Sequence, residues 1–173
     1  MCHLSYCPYL YRIACSNHAW ERDLGPFSRI SNTFGSFSDA AYAGENLPLG
    51  NQRVVLEPRT FAKMLDELNL NRDEFVLIIG AGLGYAAAVT AQIAQAVVAV
   101  EEDPDLASEA EDMLAEQNID NATIIVAPLT AGAPQHGPYD VVLVEGAVEQ
   151  MSDAILEQLK DGGRIVAPFL EGT

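Results

Sequence analysis

The stretch Phe75-Val76-Leu77-Ile78-Ile79-Gly80-Ala81-Gly82-Leu83-Gly84-Tyr85 decides the fold of this chain. Its five apolar residues predict a buried strand, and three glycines at alternate positions follow directly. An alanine-rich segment from Tyr85 to Gln95 then has the composition of a helix. Because glycine lacks a Cβ atom, the backbone can turn sharply there and approach a bound nucleotide closely. The sequence therefore predicts a nucleotide-binding turn made by Gly80, Ala81, Gly82, Leu83 and Gly84.

A second apolar segment, Val97–Val100, predicts the next strand and ends in acidic residues. Glu101 follows this strand, about 20 positions after the first glycine of the turn. A carboxylate at this spacing is typical of sites in which it binds the hydroxyls of a ribose. Glu101 is therefore predicted to bind the ribose of an adenosine-bearing cofactor.

Short apolar segments alternate with helical patterns along the chain. Strands are predicted at 75–79, 97–100, 122–126, 139–144 and 164–167. Helices are predicted from Pro58 through Leu68, near 83–95, from an N-cap at Asp103 to about Gln117, and from Ser152 or Asp153 through Lys160, ended by Gly162-Gly163. This alternation predicts an α/β fold, a Rossmann-like, doubly wound and mostly parallel sheet of five strands. The ligand is expected at the carboxyl ends of the first three strands, where the loop at Pro128 also lies.

Residues 1–38 differ from the rest of the chain. They are rich in Ser, Tyr, Phe and Cys and show no sustained period of two or 3.6. We predict an irregular N-terminal segment over 1–38, a Gly- and Pro-containing connector from Ala41 to Gly50, and one cofactor-binding domain over 39–173. Cysteines and histidines also occur in the first segment (Cys2, His3, Cys7, Cys15, His18), but they lack the paired C-x-x-C spacing of metal sites, so no metal is predicted.

The formal net charge of −16 disfavours nucleic acid and anionic membranes as partners, because their phosphates would be repelled. Residues 1–38 carry a net charge of +1, so the acidity lies in the remainder. Apolar runs are too short to cross a bilayer, and the first residues lack the pattern of a secretion signal. A cytoplasmic protein with free thiols is the expectation.

The spacing of the glycines distinguishes between cofactors. Dinucleotide-binding turns follow G-x-G-x-x-G, whereas Gly80, Gly82 and Gly84 follow G-x-G-x-G, the form of S-adenosylmethionine-dependent methyltransferases. No Lys or Arg lies between Asp73 and Gln158, so nothing there could neutralise a pyrophosphate. S-adenosyl-L-methionine, which is net cationic, is the predicted cofactor. A nucleotide-dependent oxidoreductase is disfavoured.

Several motifs resemble the protein-L-isoaspartate O-methyltransferase family over about Ala41 to Phe169. They are the connector Leu47-Pro48-Leu49-Gly50 with Glu57-Pro58, the cofactor turn Val76–Tyr85, the strand end Val100–Pro104, the segment Gly137-Pro138-Tyr139-Asp140, and the ending Leu159–Val166. The resemblance implies a carboxyl methyltransferase that uses S-adenosyl-L-methionine on isoaspartyl-containing polypeptides in protein repair.

The chain also departs from the family pattern. Val54-Val55-Leu56 stand where the family has a serine-containing segment implicated in catalysis, and Pro128-Leu129 replace a Gly-Asp pair. Two family strands are expected beyond Thr173, which leaves the fifth strand as an apolar edge and favours a homo-oligomer. These departures predict weak or lost isoaspartyl methylation. The alternative function is a catalytically inactive cofactor-binding or interaction module.

No catalytic residue is assigned, because a carboxylate acceptor is already ionised at neutral pH and needs no general base. Glu145 follows the fourth strand, where methyltransferases often place a group that faces the substrate. A solvated or capping carboxylate is the other interpretation of Glu145. His136 lies in a Gly- and Pro-rich loop and is expected at the surface.

Overall fold

The computed structural model describes residues 10–11, 46–50 and 53–170. The strands in these ranges are β1 (Leu10–Tyr11), β2 (Leu47–Gly50), β3 (Arg53–Val55), β4 (Phe75–Ile79), β5 (Ala96–Glu101), β6 (Ala122–Val126), β7 (Tyr139–Val144) and β8 (Leu159–Val166). The helices there are α1 (Pro58–Leu68), α2 (Tyr85–Ala91), α3 (Pro104–Glu116) and α4 (Asp153–Leu156).

Six of the strands form one parallel sheet in the order β1-β8-β7-β4-β5-β6. From β4 the chain builds outward through β5 to β6, and it then returns to place β7 on the other side of β4. The strand order therefore reverses between β4 and β7. This reversal opens a crevice at the carboxyl ends of the two strands, where open α/β sheets bind their ligands.

Both faces of the sheet are buried, as the near-continuous apolar strands require. Alternate residues of β4 divide between two cores, because successive side chains of a strand point to opposite faces. Val76 and Ile78 pack with α1, α2 and α3 on one face. Leu77 and Ile79 pack on the other face with α4 and the loop between β6 and β7. The predicted doubly wound α/β fold is confirmed.

The first and third helices form as the sequence predicts. Pro58 occupies the first turn of α1, and the apolar stripe Phe61, Met64, Leu65 and Leu68 is buried against the sheet. Asp103 caps α3, since its side chain accepts hydrogen bonds from two backbone N–H groups of the first turn.

The predicted helix over 83–95 is shorter than expected. Gly84 precedes α2 in the left-handed region, with φ of +83°, so the helix begins only at Tyr85. After Ala91 the chain turns toward β5. The N–H of Gln95 donates to the carbonyl of Glu74 at 3.0 Å, which ties this turn to the start of β4.

The predicted helix from Ser152 or Asp153 through Lys160 is wrong in its second half. The helix α4 ends at Leu156, and β8 begins at Leu159 rather than at Arg164. Leu159 pairs with Tyr139, and after a shift in register Arg164 pairs with Val141. Gly162, with φ of +82°, lies at this irregularity in the strand instead of ending a helix.

Two expectations for the N-terminal part are corrected. No strand was predicted in the Gly- and Pro-containing connector from Ala41 to Gly50, but Leu47–Gly50 forms β2, which pairs antiparallel with β3. Within the segment 1–38, Leu10–Tyr11 forms β1, which pairs with β8. The fifth predicted strand, which is part of β8, is therefore paired with β1 at Ile165 and Val166 and is not an exposed edge there. The remaining residues of 1–45, with their cysteines and histidines, lie outside the described residues.

Polar contacts at the amino ends of the strands fasten the elements together. Arg164 of β8 donates to the carbonyl of Leu68 at the end of α1 and to both carboxylate oxygens of Glu74, each at 2.8 Å. Asp140 of β7 accepts from the N–H of Phe75 and from Lys160, also at 2.8 Å. We call these two groups the amino-end clamp.

Candidate functional site

The carboxyl ends of β4, β5 and β7 bring the predicted site residues to one edge of the sheet. The glycine turn follows β4, Glu101 is the last residue of β5, and Glu145 follows β7. The N–H groups of Gly80 and Ala81 both donate to the carbonyl of Val100 at 2.9 Å, which holds the turn beside the end of β5. The loop at Pro128 joins the same edge, because Ala127 donates to the carbonyl of Glu101.

Each glycine of the turn has a positive φ, and each has a different neighbour. A Cβ added to Gly80 would lie 3.0 Å from the carbonyl oxygen of Glu145. One added to Gly84 would lie 3.1–3.3 Å from Ala110 of α3, so Gly84 allows two helices to pack closely. A Cβ added to Gly82 would lie 3.1 Å from Cδ1 of Leu49, across the cleft.

Glu101 is fully buried, and its carboxylate is held by the backbone around it. Its Oε2 accepts from the N–H of Gly82 at 2.7 Å, and its Oε1 accepts from the N–H groups of Glu102 and Asp103 at 2.9 and 3.0 Å. Burial disfavours the ionised form, but bonds from Arg53 and these N–H groups outweigh it and lower the pKa of Glu101. The carboxylate is therefore charged at neutral pH and fixed beside the glycine turn.

Arg53 of β3 binds the same carboxylate through both of its terminal nitrogens. Nη2 donates to Oε2 of Glu101 at 2.7 Å, and Nη1 donates to Oε1. The carboxylate thereby accepts five hydrogen bonds, whereas two carboxylate oxygens offer about four lone-pair sites. A ribose diol that donates to Glu101 must therefore take the place of Arg53.

The hairpin of β2 and β3 lies across the glycine turn. Leu49, Val54 and Val55 of this hairpin line the cleft together with the glycine turn, the first residues of α2 and Glu145. The cleft has room for about one water molecule. Small-molecule sites in proteins measure about 300–1,000 Å³, so the hairpin must shift before a nucleoside can enter.

Glu145 brings a second carboxyl group to the cleft. Its N–H donates to the carbonyl of Ile79 at 2.8 Å, which sets it beside the end of β4. Its Oε1 has less than 1 Å² of accessible surface and no hydrogen-bond partner among the described residues. Burial raises the pKa of Glu145 to about 8. The group is therefore mostly uncharged at neutral pH.

The structure thus brings together the predicted residues Gly80, Ala81, Gly82, Leu83 and Glu101, while Gly84 serves the packing of α2 on α3. His136 is exposed, as expected. Leu56, at the position of the family's serine, is buried in the core with α1. Sequence reasoning missed Arg53. The available signal was one arginine in the connector before α1, but its partner lies 48 positions further along the chain.

A parallel sheet with a glycine turn and a buried carboxylate at its carboxyl edge defines a Rossmann-like nucleotide-binding domain. The family model of protein-L-isoaspartate (D-aspartate) O-methyltransferases matches residues 27–173. The chain belongs to this family.

Curated relatives agree with this membership. The chain is 37% identical over 128 residues to a protein-L-isoaspartate O-methyltransferase of Methanoculleus marisnigri, covering 74% of this chain and 58% of the relative. It is 38% identical over 129 residues to protein-L-isoaspartate O-methyltransferase 1 of Nitrosospira multiformis, covering 75% of this chain and 55% of that protein. The chain therefore spans somewhat more than half the length of these relatives.

Solved structures share the fold. A protein-L-isoaspartate O-methyltransferase superposes with a TM-score of 0.65 at 23% identity, covering 83% of this chain and 54% of that chain. A β-aspartate methyltransferase from Plasmodium falciparum, in complex with S-adenosyl-L-homocysteine, also gives a TM-score of 0.65, at 19% identity over 75% of this chain and 68% of that chain. Across the described ranges, none of the helices is both long and apolar enough to traverse a bilayer.

Proposed function

We propose that residues 39–173 form the cofactor-binding domain of an S-adenosyl-L-methionine-dependent carboxyl methyltransferase that acts on isoaspartyl residues of polypeptides. The single observation that carries the proposal is the carboxylate of Glu101, buried, charged and bonded to the N–H of Gly82 at the sheet's crevice. The chain's membership of the family supports the choice of substrate. The proposal extends to a role in protein repair in the cytoplasm.

The residues at the crevice fit an adenosyl group once the hairpin has shifted. Glu101 would accept hydrogen bonds from the two ribose hydroxyls, and the Gly80–Gly84 turn would let the backbone approach the ligand. Leu49 of β2 would cover the apolar side of the bound group. No Lys or Arg lies between Asp73 and Gln158, and Arg53 at the crevice is paired with Glu101, so the crevice suits a ligand that carries no pyrophosphate.

When bound, S-adenosyl-L-methionine would supply a sulfonium methyl group: a carboxylate oxygen bonds to the methyl carbon as the carbon–sulfur bond breaks, and neutral S-adenosyl-L-homocysteine is the leaving group. The residues of this chain would hold the donor and exclude water from the cleft, with Val54 and Val55 of the hairpin as its apolar wall. An acceptor carboxylate has an ordinary pKa of about 4, so it attacks without help from a general base. The domain therefore has to align the methyl donor with the acceptor carboxylate and to exclude water from the cleft.

Calorimetric titration with S-adenosyl-L-homocysteine tests the cofactor. We expect the wild type to bind it and Gly82→Val to lose at least about tenfold in affinity, because the valine side chain would fill the cleft beside the turn. Gly162→Val is the matched control, since Gly162 also has a positive φ (+82°), has open space around its Cβ position, and lies in β8 between Lys160 and Arg164 of the amino-end clamp, away from the crevice. Absence of binding to the wild type would refute the proposal.

Methyl transfer tests the reaction. Two peptides of the same sequence, one with isoaspartate and one with ordinary aspartate, are incubated with the protein and labelled S-adenosyl-L-methionine. Label in the isoaspartyl peptide alone is the expected result, at a low level because Val54-Val55-Leu56 replace the family's serine-containing segment. Binding of the cofactor without methylation of either peptide would favour the alternative, a catalytically inactive cofactor-binding or interaction module derived from the family.

A further inference from the structure

Glu145 stands out because, among the described residues, its Oε1 lies buried at the crevice without a hydrogen-bond partner. The backbone of Glu145 is pinned between β4 and β7, where the strand order reverses. Its side chain lines the same cleft as the glycine turn, and its Oε1 faces no hydrogen-bond donor among the described residues. A buried carboxyl group in this situation carries a proton or requires a positive charge beside it.

The other charged groups at the crevice do not supply this positive charge. Arg53 of β3 comes within 3.6 Å of the Cβ position of Gly80, but both of its terminal nitrogens are bound to Glu101. The remaining titratable side chain of the lining is the phenol of Tyr85 on α2. Arg53 and Glu101 neutralise each other, so Glu145 is left as the one uncompensated ionisable group among the described residues of the cleft.

We propose that Glu145 is a specificity-determining residue of the cofactor site: its unpartnered carboxyl group at the cleft favours a cationic ligand, so that the site prefers a sulfonium to the thioether left after methyl transfer. This inference rests on the proposed function. The ligand class follows from the charge of the site, because an unpaired buried carboxylate attracts a cation and gains nothing from an uncharged sulfur.

The proposal requires that a proton leave Glu145 when the cation binds. Below about pH 8 the carboxyl group of the free protein holds its proton. A sulfonium within a few ångströms favours the carboxylate, and the released proton passes to the buffer. S-adenosyl-L-homocysteine has a neutral sulfur, and both ligands displace Arg53 from Glu101 alike, so the methyl donor is the ligand that adds a positive charge beside Glu145. The preference for S-adenosyl-L-methionine should therefore increase with pH until Glu145 is ionised in the free protein as well.

Calorimetry of both ligands measures this proton. Titrations at pH 7 are made in phosphate and in Tris, whose ionisation enthalpies differ. Binding of S-adenosyl-L-methionine to the wild type should release close to one proton more than binding to Glu145→Gln. The affinity ratio of the methyl donor to S-adenosyl-L-homocysteine should also rise about tenfold between pH 7 and pH 9 in the wild type, since one pKa unit corresponds to a tenfold change.

Glu149→Gln is the matched control, because Glu149 is an exposed glutamate of the same loop. It should behave as the wild type, which separates the effect of Glu145 from protons exchanged by the ligand itself. Equal proton release and equal affinity ratios in wild type and Glu145→Gln, with S-adenosyl-L-homocysteine still bound by both, would overturn the inference and leave the proposed function intact. Loss of all binding by the wild type would overturn both.

Discussion

Replacing Arg53 by glutamine should strengthen binding of S-adenosyl-L-homocysteine. In the structure the guanidinium occupies the lone pairs of Glu101 that a ribose diol needs. Binding of the nucleoside therefore has to break the ion pair first. Glutamine keeps much of the length of the side chain but lacks the charge and the two-pronged geometry, so it competes less well for the carboxylate.

The magnitude follows from the burial of the pair. Exposed ion pairs contribute about 0.2–1 kcal/mol, but here the side chain of Glu101 has no exposed surface and that of Arg53 has only 19%. Hydrogen bonds to charged groups contribute about 1.5–3 kcal/mol each, and part of this is recovered when the released guanidinium is hydrated. We expect a net gain of about 2 kcal/mol, or roughly thirtyfold in Kd.

The assay is calorimetric titration of wild type, Arg53→Gln and Arg59→Gln with S-adenosyl-L-homocysteine. Arg59 is the matched control because its side chain is 86% exposed and lies 3.7 Å from Glu57, away from the glycine turn. Far-UV circular dichroism of each variant checks the fold. In Arg53→Gln the three backbone N–H groups still donate to Glu101, so they stabilise the carboxylate after its cationic partner has been removed.

Two outcomes would refute this reasoning. An unchanged affinity in a folded Arg53→Gln variant would mean that the ion pair does not compete with the ligand. A reduced affinity would mean that the guanidinium contacts the bound ligand instead of giving way to it. The Arg59→Gln variant should match the wild type in either case.

Three further predictions concern stability. Gly84→Ala should lower the free energy of unfolding by about 3 kcal/mol in urea, because the new Cβ meets Ala110 at a positive φ. Since the pKa of Glu145 is raised to about 8, the native state holds a proton that the unfolded state has lost, and the free energy of unfolding should fall as pH rises from about 4.5 to 8; Glu145→Gln should flatten this slope of at most about 1.4 kcal/mol per pH unit. The pKa of Glu101 is lowered, so its contribution to the free energy of unfolding is present above the ordinary carboxyl pKa and is lost as the pH falls through the lowered pKa. Acid unfolding followed by far-UV circular dichroism should therefore show a weaker dependence on pH in Glu101→Gln, which lacks the charged pair with Arg53 at every pH.

Gly162→Ala separates backbone strain from crowding in the first of these tests. Gly162 also has a positive φ, of +82°, but nothing lies within 4 Å of its Cβ position. A loss as large as that of Gly84→Ala would show that helix packing is not the cause. For the two carboxyl groups, pH profiles that are identical in wild type and variant would contradict the predicted direction.

The central strands could be predicted from sequence because they are buried on both faces. Their apolar runs are bounded by Gly, Pro or acidic residues, and β4, β6 and β7 have the predicted bounds. The start of β8 could not be predicted in this way. Leu159 pairs with Tyr139 across the sheet, and the side chain of Lys160 binds that of Asp140; no local propensity encodes these contacts.

Part of the site could be predicted because some of its residues follow directly after the buried strands. The glycine turn and Glu101 can be recognised from their spacing in the sequence, and the parallel sheet brings them together. The ion pair of Glu101 was not predictable, because its partner Arg53 is remote in sequence and lies on a hairpin for which the sequence predicted no strand. The lack of a hydrogen-bond partner for Oε1 of Glu145 likewise depends on which described residues lie around it in the folded protein, and sequence spacing does not reveal them.

The amino-end clamp has a consequence for how this domain tolerates change. Arg164 and Asp140 secure α1, β4, β7 and β8 at the rim opposite the crevice. The contacts that fasten these elements together therefore lie at one end of the strands, and the candidate ligand site lies at the other end. Substitutions of the side chains that line the crevice leave the contacts of the amino-end clamp in place, so ligand specificity can change while these four elements stay fastened together.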